Sequence, residues 1–330
     1  MPGGNQTDSL LRDVSRSFYQ TLRVLPGAVR PQIGLAYLLA RTTDTIADTG
    51  IVSAEKRLHA LEQFRQRILE TSNEPLELGS LAEHQGSPAE RLLLERCEET
   101  LQELSRTTPF DQKLIQEVLD IITSGQELDL RRFAGASAQQ LTALRTEAEL
   151  DDYTYRVAGC VGEFWTKICR AHLFPTASLD EAKLLQQAVC FGKGLQLVNI
   201  LRDLPRDLRQ GRCYLPSDSL TARALRPSDL LDPAREPEVR PFYAVYLDRA
   251  EASLRTGWVY TNSLPRSCVR LRLACALPIL IGIETLRLLR AGNFLDPAQR
   301  IKVSRKQVGR MIRRSVLLYP FDSAWKGLIQ

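Results

Sequence analysis

A stripe of polar side chains runs through an otherwise apolar stretch, and it constrains this chain more than any other feature. Within residues 194–207, Gln196, Asn199, Asp203 and Asp207 recur every three or four residues among leucine, valine and isoleucine. At about 100° per residue, an α-helix places these four side chains on one face. Because apolar residues cover the other faces, the helix is expected to be surrounded by protein. Burial of uncompensated carboxylates is costly, so the stripe is predicted to bind cations.

A second stripe with the same spacing lies nearer the N-terminus. Within residues 36–48, Tyr37, Arg41, Asp44 and Asp48 share one helix face, again among apolar residues. Each D-x-x-x-D pair places two carboxylates about one helical turn apart, an arrangement that suits hard divalent cations. Mg²⁺ commonly takes its remaining ligands from water and a bound phosphate group. Two such pairs on either side of a cavity are therefore predicted to bind Mg²⁺ and a diphosphate.

The aspartate pairs also have a plainer interpretation, because acidic residues are common on solvent-facing helix surfaces. Two pairs embedded in apolar sequence favour the functional interpretation. Arg41 and Arg202 lie beside the aspartates, and either phosphate contact or structural ion pairing explains them. Arg212, which follows Gly211 after the first stripe, fits either phosphate contact or a surface loop.

Helical periodicity extends over nearly the whole chain. Apolar positions recur at helical spacing, whereas alternating runs bounded by turn residues are missing, and this predicts an all-α protein. The helical pattern is interrupted by segments that contain glycine, proline or polar residues. These segments are too short to be domain linkers, so residues 1–330 are expected to form a single domain. They are residues 26–31, 72–88, 135–137, 215–241 and 292–297. Ser178–Glu181 has the form of a capping box and is predicted to start the helix that carries the first stripe.

The composition narrows the class of protein. A chain of 330 residues with 44% hydrophobic content can build a large core, and a net charge of +5 is far from a nucleic-acid-binding signature. Seven scattered cysteines without a C-x-x-C pair argue against disulfides and zinc and favour a reducing compartment. The start of the chain does not have the form of a signal peptide, and the apolar run 273–283 is about half the length of a membrane span. A cytoplasmic protein without a transmembrane segment is expected.

A third segment, residues 153–165, combines larger side chains with a run of small ones. Tyr153 and Val157 lie four residues apart, and the small residues that follow are Ala158, Gly159 and Gly162. A glycine inside a helix costs about 1 kcal/mol relative to alanine, so something is expected to approach this helix closely. Either another helix packs tightly there, or the segment forms the wall of a channel for long hydrocarbon chains.

These segments together resemble the squalene and phytoene synthase family of head-to-head prenyl transferases. The resemblance covers nearly the whole chain and rests on residues 15–18, Asp44–Asp48, Tyr153–Gly162 and Gln196–Pro216. It implies an isoprenoid synthase fold, a single helical domain around a central cavity, in which two allylic diphosphates are joined with the help of Mg²⁺.

The resemblance also implies roles for particular residues. The expected metal ligands are Asp44, Asp48, Asn199, Asp203 and Asp207, and the four aspartates are expected to be catalytic together with Tyr153. Tyr153 or the released diphosphate would accept the proton, and a phenol with a pKa near 10 is better suited to orienting the substrate or stabilising a cation. The expected substrate-binding residues are Ser15, Ser17, Phe18, Tyr37, Arg41, Val157, Gly159, Gln196, Leu197, Asn199, Arg202, Arg212 and Tyr214.

The C-terminal part resembles the reductive squalene synthases in particular. Residues 274–278 read Ala-Cys-Ala-Leu-Pro, and residues 300–308 form a basic stretch. By this resemblance, Lys302 and Arg305, together with Asn199, are expected to bind NADPH. The alternative for Lys302 and Arg305 is a basic turn that faces solvent or a lipid surface.

The chain is therefore expected to condense two molecules of farnesyl diphosphate to presqualene diphosphate and to reduce this product to squalene with NADPH. Phytoene or dehydrosqualene synthesis without the reductive step is one alternative, and a non-catalytic helical adaptor is another. A nucleic-acid partner is not expected. The sequence leaves open the oligomeric state and whether the chain contacts a membrane peripherally to release its product.

Two residues depart from the family pattern in the first stripe. Arg206 stands where an acidic residue is usual. Pro205 removes a backbone donor and crowds the preceding turn, so it is expected to interrupt the pair and displace Asp207 from its helical position. Asp203 is accordingly the firmer predicted ligand.

Overall fold

A computed structural model describes residues 4–15, 18–299 and 301–329 of the chain. These residues form two compact units. The first comprises the described residues up to Ala134 together with Phe164–Thr176, and the second comprises Gly135–Glu163 and the described residues from Ala177 onward. The expectation of a single domain stays a prediction.

The first unit is helical. Its helices are α1 (Gly4–Ser15), α2 (Phe18–Val24), α3 (Arg30–Asp48), α4 (Ala54–Ile68), α5 (Gly79–Glu83), α6 (Pro88–Glu95), α7 (Cys97–Ser105) and α8 (Pro109–Arg132). Pro31 lies in the first turn of α3, where its missing donor is tolerated. Helix α3 packs against α4, α7 and α8. Its completely buried Leu38 and Leu39 each contribute about 1.5–3 kcal/mol of hydrophobic free energy.

The second unit is also almost entirely helical. It contains α9 (Glu147–Thr154), a π-helical turn (Tyr155–Gly159), the start of α10 (Cys160–Leu173), α11 (Glu181–Arg209), α12 (Ser217–Thr221), α13 (Glu236–Ser263), α14 (Val269–Ala291), α15 (Arg305–Leu318) and α16 (Asp322–Lys326). Short 3₁₀ turns lie at Pro227–Leu231, Pro233–Arg235 and Gly327–Ile329. The all-α prediction is confirmed. In the described part of the chain, no helix is both long and apolar enough to cross a membrane.

A pair of two-residue strands is the exception to the helical pattern in the described residues. Strand β1 (Thr142–Ala143) pairs in parallel with β2 (Arg212–Cys213), directly after α11. The chain turns at Gly211, whose φ is +85° and where a Cβ atom would lie 2.2 Å from the backbone nitrogen of Ser137. Only glycine fits both demands. The pairing therefore fixes the backbone that carries Arg212.

Helix α11 lies at the centre of the second unit, along α13 and against the π-helical turn. Its N-cap is Asp180, whose side chain accepts a hydrogen bond from the backbone of Lys183 at 3.0 Å. The start of the helix is thus within the predicted segment, but Asp180 caps it in place of Ser178.

The expected interruption at Pro205 does not occur, because α11 continues through this residue to Arg209. A proline cannot donate to the carbonyl four residues earlier, which here belongs to Leu201. The Tyr243 hydroxyl of α13 donates to that carbonyl at 3.0 Å instead. Tyr243 therefore supplies the hydrogen bond that Pro205 cannot make, and Asp207 stays on the same helix as Asp203.

Candidate active site

The first aspartate pair lies on the accessible face of α3. Asp48 is exposed, and 49% of the Asp44 side chain is accessible, while Tyr37 and Arg41 are half-buried on the same face. The threonines between them are buried, and their hydroxyls donate to backbone carbonyls one turn back, as Thr45 does to Arg41 at 2.8 Å. The polar stripe predicted from the sequence thus forms a polar surface on a well-packed helix.

Asp44 is held by a glutamine from another helix. The side chain of Gln126 on α8 donates to the Asp44 carboxylate at 2.5 Å. Desolvation by the surrounding protein, followed by repulsion from Asp48, raises the pKa of Asp44 to about 6, although Arg41 and Gln126 act in the opposite direction. The raised pKa thus reflects the loss of solvation first and the charge of Asp48 second. About half of the Asp44 side chain is nevertheless accessible, so a cation can reach the carboxylate.

Arg41 belongs to the same cluster. It forms a hydrogen-bonded ion pair with Glu90 of α6, and its guanidinium lies 3.9 Å from the Asp44 carboxylate. The structural ion pair that the sequence offered as one alternative is therefore present. A quarter of the Arg41 side chain stays accessible, so a phosphate can still reach it.

The second aspartate pair lies on α11 with the rest of its stripe. Asn199 is exposed and donates to the Gln196 side chain at 3.4 Å. Asp203 is 39% accessible, and Asp207 is half-buried one turn further along. The stripe is therefore accessible along its whole length, so its carboxylates are not buried as the argument from the sequence assumed.

Arg202 forms a two-point contact with the neighbouring Asp203, through bonds of 2.9 and 2.5 Å. This hydrogen bonding and the charges of Asp203 and Asp207 raise the pKa of Arg202 above its ordinary value. Asp203 thus accepts hydrogen bonds from an arginine, whereas Asp44 accepts its hydrogen bond from a neutral amide and has the Arg41 guanidinium 3.9 Å away.

Tyr153 lies at the end of α9 and stacks on Tyr214. The ring centroids are 4.6 Å apart at an interplanar angle of 25°. Tyr214 is buried directly after β2, so the strand pair that holds Arg212 also fixes the support for the Tyr153 ring. The structure thereby brings together three residues that the sequence assigned to the site separately.

The segment after Tyr153 differs from the predicted regular helix. Residues Tyr155–Gly159 form a π-helical turn between α9 and α10. A Cβ atom on Gly162 would lie 2.2 Å from the Ala188 carbonyl oxygen of α11. Tight helix packing therefore accounts for Gly162. Gly159 is buried near Tyr155 and Lys193, and Val157 is half-buried.

The remaining predicted residues have varied surroundings. Leu197 is buried and lines a polar cavity of about 300 Å³, which also contains the 2.7 Å ion pair between Lys193 and Asp151. Ser15 is buried, and its hydroxyl donates to the Leu11 carbonyl within α1. Ser17 and the side chain of Phe18 lie outside the described residues.

The predicted NADPH ligands lie at the start of α15. Lys302 and Arg305 are both exposed, and Ser304 between them caps the helix in a capping box with Gln307. The segment 274–278 is part of α14, where Ala274, Cys275 and Ala276 are buried. Lys302 and Arg305 are thus accessible to an anionic ligand.

Two features of the site could not be found in the sequence. The Gln126–Asp44 contact joins residues 82 positions apart, and no motif surrounds Gln126. The π-helical turn has only the run of small residues as a signal.

The carboxylates fit a divalent cation. Among the described residues, no group of three or more histidine, cysteine, aspartate or glutamate side chains is arranged to hold a metal ion. Each helix instead offers two aspartates one turn apart, and Asp48 contributes to the raised pKa of Asp44. A cation that takes its other ligands from water and diphosphate matches this donor set.

The all-helical fold is the isoprenoid synthase fold, and the chain is a prenyltransferase. The family model for squalene/phytoene synthase matches residues 11–307, and the chain belongs to this family. Members join two prenyl diphosphates head to head, bind farnesyl diphosphate, and generally use Mg²⁺ to bind the diphosphate.

Individual relatives differ in activity. The chain is 28% identical over 227 residues to squalene synthase ERG9 of Saccharomyces cerevisiae, covering 69% of this chain and 48% of that protein. It is also 28% identical over 292 residues to presqualene diphosphate synthase of Rhodopseudomonas palustris, covering 88% of each. The solved complex of TcSQS with E5700 has a TM-score of 0.77 at 22% identity, covering 94% of this chain and 85% of that one.

Proposed function

We propose that this chain condenses two molecules of farnesyl diphosphate to presqualene diphosphate and then reduces this intermediate to squalene with NADPH. The observation that carries the proposal is the pair of accessible aspartate stripes, one with the raised pKa of Asp44 and the other with the Arg202–Asp203 contact. Both stripes suit a ligand that brings a diphosphate and divalent cations together.

The carboxylates would hold the metal. Asp44 and Asp48 form one donor set, and Asn199, Asp203 and Asp207 form the other. Mg²⁺, when bound, neutralises the charge of the diphosphate and so makes it a better leaving group. Gln126 orients the Asp44 carboxylate through its hydrogen bond, so this side chain needs little rearrangement.

The arginines would bind the departing diphosphate. Arg41 and Arg202 both stay partly accessible while paired with carboxylates. When a diphosphate binds, they can exchange part of that pairing for contact with phosphate oxygens. Arg212, held by the strand pair, is a third candidate. Charges at about 4 Å contribute roughly 4 kcal/mol each at an effective dielectric near 20, so several together stabilise the leaving group strongly.

Tyr153 would act on the allylic cation. Its ring is fixed by stacking on Tyr214, and an aromatic face attracts positive charge by about 0.5–2 kcal/mol. Loss of a proton from the condensed cation closes the cyclopropane of presqualene diphosphate, and the released diphosphate accepts this proton.

The reductive half-reaction would depend on the start of α15. Lys302 and Arg305 are exposed cations at a capped helix N-terminus, a site type that favours phosphate groups. Their proposed role is to bind the phosphates of NADPH.

A second candidate function is condensation that stops at presqualene diphosphate. The match to the presqualene diphosphate synthase covers 88% of both chains and favours this candidate. Phytoene or dehydrosqualene synthesis is a further outcome within the same family. A non-catalytic adaptor is disfavoured, because the family consists of prenyltransferases.

Product analysis tests the proposal. The chain is incubated with farnesyl diphosphate and Mg²⁺, with and without NADPH, and the products are identified by mass spectrometry. Squalene is expected only with NADPH, and presqualene diphosphate without it. Formation of dehydrosqualene without reductant, or of phytoene from geranylgeranyl diphosphate, contradicts the proposal.

Variants separate the two half-reactions. Lys302→Ala and Arg305→Ala are expected to raise the NADPH concentration needed for half-maximal rate and to let presqualene diphosphate accumulate. Lys306→Ala, an exposed neighbour, is the matched control and should leave both steps unchanged. If presqualene diphosphate is the end product even at saturating NADPH, the second candidate function is correct.

A further inference from the structure

Helix α15 presents a strongly cationic surface beyond its first turn. Arg310, Arg313 and Arg314 are exposed, and none of them forms an ion pair within the described residues. The sequence contains no aspartate or glutamate between Asp296 and Asp322. Asp322 itself pairs with Lys326 at 2.7 Å. These arginine charges therefore remain available to a partner.

The same surface exposes large apolar side chains. The accessible fractions are 41% for Ile312, 52% for Val316, 69% for Leu317 and 64% for Phe321. Ile312 and Val316 are four residues apart and adjacent on the helix, and Leu317 and Phe321 have the same spacing across its end. Single exposed apolar residues are ordinary, but four within ten residues form a patch that indicates an interaction site. Together with Arg310, Arg313 and Arg314 they are named the α15 surface.

The turn after α15 is hydrogen-bonded to the loop between α13 and α14. Arg266, between α13 and α14, donates to the Pro320 carbonyl at 2.7 Å, and the Tyr319 hydroxyl donates to the Arg266 carbonyl at 2.7 Å. Val269, just after that loop, is also exposed, with 37% of it accessible. These two hydrogen bonds with Arg266 therefore fix the turn that precedes Phe321.

From this combination we infer that the α15 surface docks on a lipid bilayer with anionic headgroups. Interfacial helices bury apolar side chains at the headgroup boundary, while lysine and arginine attract anionic lipids. A second copy of the chain is a poorer partner, because two cationic surfaces repel each other. A nucleic acid would neutralise the arginines but offer nothing to Leu317 and Phe321. A bilayer satisfies both the charges and the apolar side chains.

Vesicle binding tests the inference without any substrate, so its result is independent of the proposed reaction. The whole chain is mixed with vesicles of phosphatidylcholine alone or with 30% phosphatidylglycerol, and bound protein is measured by flotation. Binding is expected for the anionic vesicles and should weaken in 0.5 M NaCl. At about fivefold for each cation, Arg310→Gln, Arg313→Gln and Arg314→Gln together should weaken partitioning by about 100-fold.

The apolar part has its own variants. Leu317→Ser or Phe321→Ser should each weaken partitioning by about tenfold. Ile51→Ser removes an apolar residue that is 76% exposed elsewhere and should change nothing. Unchanged melting temperatures show that the variants fold. The inference is overturned if anionic vesicles bind no protein or if the arginine variants bind equally well. It is also overturned if the apolar variants bind as the wild type does, since the surface would then be a site for polyanions such as nucleic acid.

Discussion

The substitute hydrogen bond at Pro205 makes a quantitative prediction about the helix that carries Asp203. Tyr243 is completely buried, and burial raises the pKa of its phenol well above 10, so it is a permanent donor to the Leu201 carbonyl. Tyr243→Phe removes only the hydroxyl and keeps the ring stacked on Phe294, whose centroid is 3.6 Å away. The Leu201 carbonyl then lacks both the tyrosine donor and the one that proline cannot supply. Leaving such a group unsatisfied costs about 1–3 kcal/mol.

The matched control restores the helical donor. In a Pro205→Ala background, the backbone N–H of residue 205 can bond to the Leu201 carbonyl, so Tyr243→Phe should cost at least 1 kcal/mol less there. Urea unfolding of the four proteins in this double-mutant cycle measures the difference. Equal costs of Tyr243→Phe in both backgrounds would refute the proposed compensation.

Three further predictions concern Asp44, the helix glycines Gly162 and Gly309, and Tyr153. Because the pKa of Asp44 is about 6, proton competition should weaken Mn²⁺ binding about tenfold between pH 7 and 5, as measured by electron paramagnetic resonance, and Asp44→Asn should remove this dependence. In EDTA no metal is bound, and the folded state then binds the Asp44 proton more tightly than the unfolded state does. The free energy of unfolding contributed by this group should therefore fall as the pH rises from about 4 to 6. Gly162→Ala should destabilise the fold by at least 2 kcal/mol through its clash with Ala188, whereas Gly309→Ala, with nothing within 4 Å, should stabilise it by up to about 1 kcal/mol. Tyr153→Phe should keep the melting temperature, since the stacked ring remains, and a large fall in kcat would identify the hydroxyl as functional.

Much of the fold could be predicted from local pattern. Helical periodicity correctly indicated the all-α fold class. The breaks predicted at residues 135–137 and 292–297 follow the ends of two helices, α8 at Arg132 and α14 at Ala291. These features depend on neighbours in the chain, so the sequence expresses them directly.

The errors arose where tertiary contacts override local rules. Pro205 lies inside a continuous helix because Tyr243, 38 positions away, replaces its missing donor. Pro241 also lies inside a helix, since α13 already begins at Glu236. The π-helical turn packs closely on α11, where a Cβ atom on Gly192 would lie 2.3 Å from the Ala158 carbonyl oxygen, and no helical period encodes this contact.

The candidate site shows the same division. Both aspartate stripes follow from spacing, and the structure places each on an accessible helix face. The partners that tune them could not be predicted, because Gln126 reaches Asp44 from α8 and Glu90 reaches Arg41 from α6. Side-chain spacing thus identified the residues, and only the folded chain shows their electrostatics.

The central claim is that both aspartate pairs act in the condensation of two prenyl diphosphates. The most direct test is the initial rate of presqualene diphosphate formation from farnesyl diphosphate and Mg²⁺ without NADPH, for the wild type, Asp44→Asn and Asp203→Asn. Asp120→Asn, which alters an accessible carboxylate paired with Arg65, is the control. Each of the two site variants is expected to lose at least about 1,000-fold in rate, which corresponds to about 4 kcal/mol of transition-state stabilisation, while the control keeps its rate. Wild-type rates in Asp44→Asn or Asp203→Asn would contradict the account.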